Sequence, residues 1–187
     1  MIGQFTLSLY NDLILSIKLG RGVDGFSNAK PIFLLTILEG IALGQFECNK
    51  IIWNDKFLQK TYDAYMRYYN EQNKTPLVLP YYHLNTAPFY HLVWKEENRP
   101  PIKGHTPSAR YFQEHLLYAK LDDELWELLQ NAEYREFIRK SIITRFLYKK
   151  RSHHGYKIRR NHQVACRKSR IQHRRRKRGR VGIIHPQ

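Results

Sequence analysis

Two histidines occupy matching places in a short internal repeat, Pro-Tyr-Tyr-His-Leu at 80–84 and Pro-Phe-Tyr-His-Leu at 88–92. Histidine titrates near neutral pH and ligates metals, so His83 and His91 are candidates for a general base or a metal ligand. Each is flanked by aromatic residues in a segment that favours β-structure, where histidines are more commonly structural. We therefore interpret them as structural residues that meet across a hairpin.

The acidic run Asp122-Asp123-Glu124 is the other candidate for acid–base chemistry. It coincides with a predicted helix start, where the helix dipole already favours carboxylates. The sequence lacks a nucleophile elbow, a glycine-rich phosphate loop and the HExxH zinc motif. The C-terminal histidines and cysteine match no closed metal site and lie among cations that repel metals: His153, His154, His162, Cys166, His173 and His185. The sequence thus predicts no catalytic residue, no metal and no cofactor.

Nearly all of the net positive charge lies at the C-terminal end. Residues 149–187 contain fifteen Lys and Arg, five His and no acidic residue, which is +15 of the formal net charge of +16. Cations that neutralise phosphates release counterions, so a nucleic acid is the expected partner of this segment. The like-charge block at 174–180 predicts disorder. We expect a globular domain over residues 1–148 and a basic, disordered tail over 149–187, which is either a genuine extension or the product of a truncated or frameshifted gene.

The remaining bulk features indicate a cytoplasmic protein without a membrane partner. The two cysteines, Cys48 and Cys166, lie in different parts of the chain, which fits a reducing compartment. The N-terminus has no basic region ahead of a long apolar run, so no secretory signal is expected. The apolar stretch at 31–43 is too short to span a bilayer and contains Glu39.

The hydrophobic pattern predicts a mainly α fold with a small β-hairpin (α+β). The stretch Ile32–Leu43 is apolar on almost all sides, so we expect a buried central helix there. Two β-prone runs, 77–84 and 89–94, flank four turn-forming residues and predict a hairpin, with Pro80 at an edge or strand start. The other predicted helices are Leu7–Leu19, Lys56–Asn70, Ala109–Leu121 and Asp122–Leu147, the last broken near Asn131. Three helices followed by a hairpin is the layout of a winged helix, a common nucleic-acid-binding scaffold.

This layout brings a cation and an apolar patch together as a candidate binding surface. Lys30 lies at the start of the central helix, where free backbone N–H groups also favour an anion. The run Leu79-Pro80-Tyr81-Tyr82 presents a proline ring and aromatic faces beside a sheet edge. Further candidate phosphate contacts come from the helix cap and from the polar loop before the fourth helix: Asn28, His105, Ser108 and Arg110.

Three separated motifs resemble one known family. Lys-Pro-Ile-Phe-Leu-Leu-Thr-Ile-Leu at 30–38 is similar to its basic helix start, and Leu-Pro-Tyr-Tyr-His-Leu at 79–84 with Phe-Tyr-His-Leu at 89–92 is similar to its aromatic hairpin motif. Tyr-Ala-Lys-Leu-Asp-Asp-Glu-Leu at 118–125 is similar to a third motif, and Ile-Thr-Arg-Phe at 143–146 resembles its ending. The family is the sulfur-binding domain of McrA-like type IV HNH restriction endonucleases, and the resemblance covers about residues 7–147.

The resemblance implies a DNA-binding recognition module for phosphorothioate-modified DNA. Pro80 would form a shallow apolar cup for sulfur, with Leu79, Tyr81 and Tyr82 beside it, and Lys30 would face the DNA backbone. Two positions depart from the family pattern: Leu79 stands where an aromatic residue is common, and Ala29 where a histidine is common. The partner implied is double-stranded phosphorothioate DNA, in a restriction or host-defence system.

The tail lacks an HNH nuclease motif, since residues 149–187 have neither acidic residues nor a strand pattern. Relatives carry a nuclease domain after the sulfur-binding domain, so we expect recognition without cleavage and a separate nuclease subunit. Two other functions stay open at this point. The chain could be a metal-dependent HNH-type endonuclease, or an RNA-associated protein that grips RNA through its arginine-rich tail.

Overall fold

A computed structural model describes residues 2–22, 25–69, 75–96 and 107–148. Seven α-helices and four strands lie within these ranges. The helices are α1 (Ile2–Leu15), α2 (Ala29–Ala42), α3 (Lys56–Tyr69), α4 (Val78–His83), α5 (Ala109–His115), α6 (Asp123–Leu128) and α7 (Ala132–Ile142). The strands are β1 (Gly20–Gly22), β2 (Gly25–Ser27), β3 (Tyr90–Trp94) and β4 (Leu116–Leu121). A 3-10 turn at Leu84–Thr86 follows α4, and a π-helical turn at Ile143–Leu147 extends α7.

Helix α2 is the central element of the core. Its apolar residues surround the helix on every side, and all but three of its 14 residues are buried. The Phe33 ring lies 5.5 Å from the ring of Tyr81 and 6.0 Å from that of Tyr90. A helix that is hydrophobic all round must be covered on all sides, which confirms the predicted buried central helix. It begins at Ala29, a turn earlier than the apolar pattern indicates.

The larger sheet joins segments that are distant in sequence. Strands β3 and β4 are antiparallel, with Tyr90 opposite Leu121 and Leu92 opposite Ala119. Ile51 bridges to β4 as well, because its N–H and C=O both bond to Ala119, at 2.8 and 2.9 Å. Helix α5 lies between the paired strands in sequence, so β3 and β4 do not form a tight hairpin.

The predicted hairpin between 77–84 and 89–94 is therefore wrong. Its first half is helix α4, in which Pro80 is the third residue, and a proline is tolerated there because first-turn N–H groups need no intrahelical acceptor. The Tyr81 hydroxyl donates to Ile51 O at 2.6 Å, and the Tyr81 side chain is fully buried. Packing of Tyr81 into the core outweighs the β-propensity of this segment.

The C-terminal helices are also partly different from the prediction. The helix predicted over Ala109–Leu121 ends at His115, because the following residues pair with β3 as β4. The predicted break near Asn131 is confirmed: its side chain accepts hydrogen bonds from the backbone N–H groups of Glu133 and Tyr134, which caps α7.

The mainly α fold with a small β component is confirmed. The second predicted strand, 89–94, is β3, but it pairs with β4 and not with residues 77–84, so the order of elements differs from that of a winged helix. Among the described helices, none is long and apolar enough to cross a membrane. The boundary after residue 148 and the disorder expected of residues 149–187 fall outside the described ranges and stay predictions.

Candidate nucleic-acid interface

The Lys30 side chain joins three segments of the chain. It projects from the first turn of α2, and its Nζ donates to Lys18 O, after α1, at 3.0 Å. The same Nζ donates to Thr86 Oγ1, in the turn after α4, at 3.2 Å. The Thr86 hydroxyl donates its hydrogen bond to His83 O at 2.9 Å, so a lone pair of Thr86 Oγ1 is available to accept from the ammonium. The start of α2, the segment after α1 and the turn after α4 are thereby joined at the Lys30 amine.

The arrangement leaves Lys30 suited to bind an anion. An ammonium has three N–H donors, and neutral acceptors among the described residues take two of them. No carboxylate of the described residues forms an ion pair with Lys30. Partial burial lowers the pKa of the Lys30 ammonium from its ordinary value. The ammonium is thus partly desolvated without a protein anion to compensate it, which makes an external anion a favourable partner.

Helix α4 provides the apolar side of this surface. Leu79 is half-buried and keeps part of its side chain at the surface, whereas Pro80, three residues before the exposed His83, is buried. Burial lowers the pKa of His83, and the positive charge of Lys30 lowers it further. The Thr86 hydroxyl bonds to both Lys30 Nζ and His83 O, so the end of α4 lies near the ammonium. The structure therefore brings the predicted cation to the helix that carries Leu79 and Pro80.

Tyr81 and Tyr82 have different surroundings from those predicted. Tyr81 is fully buried, and burial raises its pKa strongly, so it supports α4 from within the core and does not offer a face to a ligand. Tyr82 is half-buried, with its ring 5.1 Å from the ring of His83 and 6.3 Å from that of Phe112. Of the two tyrosines, only Tyr82 borders the surface at the end of α4.

The four further candidate phosphate contacts lie in different places. Asn28 is the N-cap residue of α2 and is 5% exposed; Ser27 Oγ, beside it, accepts from Ala29 N at 3.3 Å. Ser108 caps α5 by accepting from Tyr111 N at 3.2 Å, and Arg110 pairs with Glu114 one turn later at 2.7 Å. Asn28 therefore lies two residues before Lys30 at the start of α2, whereas Ser108 and Arg110 lie at the start of α5. His105 lies outside the described residues.

The predicted meeting of the two histidines is wrong. His83 ends α4, whereas His91 lies in β3, and its Nε2 is 2.6 Å from Asp122 Oδ1. Tyr10 donates to the other oxygen of Asp122 at 3.2 Å, so α1, β3 and the start of α6 meet at this carboxylate. These partners explain why Asp122 makes no side-chain cap for α6. In the part of the chain that the structure describes, no three metal-ligating side chains cluster.

Sequence reasoning identified Lys30, Leu79 and Pro80 but predicted a strand for the last two. It also missed Thr86 and His83 as neighbours of Lys30. Both lie in the segment expected to be a hairpin turn, and their approach to Lys30 depends on the helical path of residues 78–86. The available signal was Pro80 itself, since a proline followed by residues tolerant of helix also fits a helical first turn.

Solved structures share this arrangement of elements. The sulfur-binding domain of ScoMcrA complexed with phosphorothioated DNA superposes with a TM-score of 0.59 at 14% identity, over 74% of this chain and 87% of that one. The chain has the fold of a sulfur-binding domain. The sulfur-binding domain of SprMcrA complexed with phosphorothioated DNA gives a TM-score of 0.51 at 17% identity, over 74% of this chain and 83% of that one.

Comparison of structures detects the sulfur-binding-domain fold, whereas two comparisons of sequence find no relative. No family model matches the chain, and no curated protein is significantly similar to it. The resemblance inferred from the separated motifs is confirmed at the level of the fold, because most of each solved domain is covered.

Proposed function

We propose that the chain is a recognition module for double-stranded, phosphorothioate-modified DNA. The observation that carries the proposal is the Lys30 ammonium, partly desolvated and hydrogen-bonded to two neutral oxygens, next to the helix that bears Leu79 and Pro80. A cation beside an apolar surface suits a ligand that is anionic and weakly hydrated at the same point. The fold shared with domains solved in complex with phosphorothioated DNA supports the same ligand.

The apolar surface of α4 supplies discrimination between sulfur and oxygen. A non-bridging sulfur is larger, more polarisable and less strongly hydrated than oxygen. Burying it against the half-buried Leu79 side chain of α4 loses little hydration, whereas a phosphate oxygen would lose water without gaining a hydrogen bond. Selectivity then arises from the penalty on the wrong ligand. Because the two non-bridging positions are stereochemically distinct, one diastereomer should fit the surface better.

The cations supply affinity that does not distinguish sulfur from oxygen. Lys30 would donate its remaining hydrogen to the modified phosphate, and Asn28, Tyr82 and His83 would border it. The basic segment 149–187 would add sequence-independent attraction to the same DNA through counterion release. We place this activity in the cytoplasm, in restriction or host defence, with cleavage left to a separate nuclease subunit.

The test compares two duplexes that differ in one atom. The full chain is titrated with a short duplex carrying one phosphorothioate of defined stereochemistry, and with its all-oxygen twin, across a salt series. We expect one diastereomer to bind about tenfold more tightly than the twin, or about 1.4 kcal/mol. The preference should persist as salt rises, because the tail attracts both duplexes equally and its contribution cancels in the ratio.

Two leucines of different location give a matched pair of variants. Leu79→Asn places an amide beside the expected sulfur and should reduce the preference toward unity. Leu117→Asn makes the same change on β4, at a side chain that is 47% exposed, and should leave the preference intact. Equal affinity of the wild-type chain for both diastereomers and the oxygen twin at every salt concentration would contradict the proposed function.

A further inference from the structure

The hairpin of β1 and β2 carries an exposed arginine and an exposed phenylalanine side by side. Arg21 is directly opposite Phe26 in the antiparallel register, so both side chains lie on the same face of the two-stranded ribbon. Arg21 is exposed, and Phe26 is 73% exposed, a large apolar side chain left in water. A single exposed phenylalanine needs no explanation, but one paired with an arginine beside a cationic site does.

Both ends of this hairpin are fixed to the Lys30 site. Lys30 Nζ donates to Lys18 O, two residues before β1. At the other end, Ser27 is the last residue of β2, and its Oγ accepts from the first N–H of α2, that of Ala29, at 3.3 Å. Each strand has three residues, which corresponds to a length of about 10 Å. The hairpin that carries Arg21 and Phe26 is therefore attached at both ends to segments that adjoin the Lys30 site.

The dimensions and charge of the ribbon match the major groove of DNA. The groove is about 12 Å wide and admits a two-stranded β-ribbon. At about 3.4 Å per base pair, a 10 Å ribbon spans about three base pairs from a phosphate held at Lys30. Arg21 in the ribbon and Lys18, two residues before β1, are both exposed and add positive charge to this segment. An arginine suits the O6 and N7 acceptors of guanine, and a phenylalanine suits the methyl group of thymine.

We propose that the β1–β2 ribbon is a second DNA contact, which reads base edges in the major groove within about three base pairs of the phosphate bound by Lys30. Arg21 donates to guanine, and Phe26 packs on a thymine methyl. This inference rests on the proposed function for the position of the phosphate, but it concerns bases and not sulfur. The two surfaces then have different roles: α4 binds the modified phosphate, and the ribbon contacts the bases near that phosphate.

The experiment removes single groups from the DNA and from the ribbon. The full chain is titrated with duplexes whose thymines near the phosphorothioate are replaced by uracil, which removes the methyl group, or whose guanines are replaced by 7-deazaguanine, which removes N7. We expect each replacement to weaken wild-type binding several-fold. Phe26→Ala should weaken binding to the thymine duplex about tenfold and abolish its preference over the uracil duplex. Arg21→Ala should do the same for the guanine replacement.

Matched controls come from exposed residues of the same types elsewhere. Phe5 in α1 is 74% exposed and Arg67 in α3 is exposed, so Phe5→Ala and Arg67→Ala should keep both base preferences. Ribbon variants that bind like these controls would overturn the proposal, and so would a loss of affinity that is the same with and without the base replacements. All base preferences are measured on the oxygen twin as well. If the wild-type chain shows no sulfur preference, the proposed function is contradicted, and the base preferences on the oxygen twin still decide the role of the ribbon.

Discussion

Two partly buried cations of this domain have opposite environments. The Arg139 guanidinium in α7 bonds to the Glu39 carboxylate in α2 and donates to the Tyr65 hydroxyl in α3 at 3.3 Å. Tyr65 in turn donates to Glu39 at 3.1 Å, which closes the network. Lys30, at the other end of α2 from Glu39, bonds to a backbone carbonyl and a hydroxyl. One cation is neutralised within the protein, and the other is solvated by neutral oxygens.

The pKa shifts of these two residues show the consequence. Burial lowers the pKa of Arg139, but the hydrogen bonds that its guanidinium donates to Tyr65 and Glu39 outweigh this effect, and the net pKa is raised. Burial alone lowers the pKa of Lys30. A charge that the fold stabilises serves to hold helices together, whereas a charge that the fold leaves uncompensated is available to a ligand. Arg139, which pairs with one end of α2, thus has a structural role, whereas Lys30, at the other end of α2, is the cation that we propose binds the ligand.

The largest effect should come from removing the internal counter-charge. Glu39→Gln leaves the Arg139 guanidinium without its carboxylate, in a site where its side chain is only 20% exposed. We expect the free energy of unfolding to fall by about 2 kcal/mol, less than for a fully buried pair because both groups keep some contact with water. Urea denaturation measures the change. Glu47→Gln, at an exposed loop position, should change stability by less than about 0.5 kcal/mol.

Removing the uncompensated charge should affect binding and not stability. Lys30→Met keeps the aliphatic stem but removes the ammonium, so affinity for the modified duplex should fall about tenfold and the salt slope should decrease by about one. The unfolding midpoint should stay close to wild type. Titrations over a salt series and a denaturation curve check both statements. A large loss of stability with unchanged affinity would show that Lys30 is structural, as Arg139 is.

The pKa of His83 provides a direct measure of the Lys30 charge. Burial and Lys30 both hold it below the ordinary value of about 6.5. The unfolded chain therefore binds more protons near that pH, and stability falls as the pH decreases from about 7 through 6.5 toward the folded pKa. In Lys30→Met the His83 pKa should rise, and this loss of stability should become smaller. An NMR titration of the imidazole resonances follows the shift, and an unaltered His83 pKa in the variant would contradict it.

The smallest effect should come from the neutral oxygen beside the ammonium. Thr86→Val keeps the side-chain shape but removes the acceptor for Lys30 Nζ and the donor to His83 O. Because Lys18 O still holds the amine, we expect a loss of DNA affinity of less than about threefold. Thr86→Ser should restore wild-type affinity. A loss as large as that of Lys30→Met would mean that Thr86 itself contacts the ligand.

The parts of the fold that could be predicted are those with a strong local pattern. The all-round apolar sequence of α2 predicts a buried helix, which the structure confirms. The helix break predicted near Asn131 is also confirmed, and the structure shows its cause, since the Asn131 side chain caps α7. The path of residues 77–94 could not be predicted from local pattern. Its valines and tyrosines favour a strand, and only the packing of Tyr81 into the core makes residues 78–83 a helix. The partner of β3 is a segment whose leucines and alanine have high helix propensity, and only pairing with β3 makes it a strand.

The same reasoning explains the outcome at the candidate site. Lys30 was recognisable because a basic residue at a helix start has a local physical meaning. Tyr81 was misplaced because exposure depends on which side of α4 faces Phe33, and that is decided by packing between segments far apart in sequence. The neighbours His83 and Thr86 depend on the same packing and had no local signature.

The bonds of Lys30 also make the binding site a product of complete folding. Its amine links residues that are 12 and 56 positions away in sequence, so an unfolded or partly folded chain has no such site. A ligand that binds only the native state stabilises it, by about 2.7 kcal/mol when the free ligand concentration is a hundred times the dissociation constant. DNA bound at Lys30 would therefore hold together the exit of α1, the start of α2 and the end of α4. The ligand would in this way stabilise the fold that binds it.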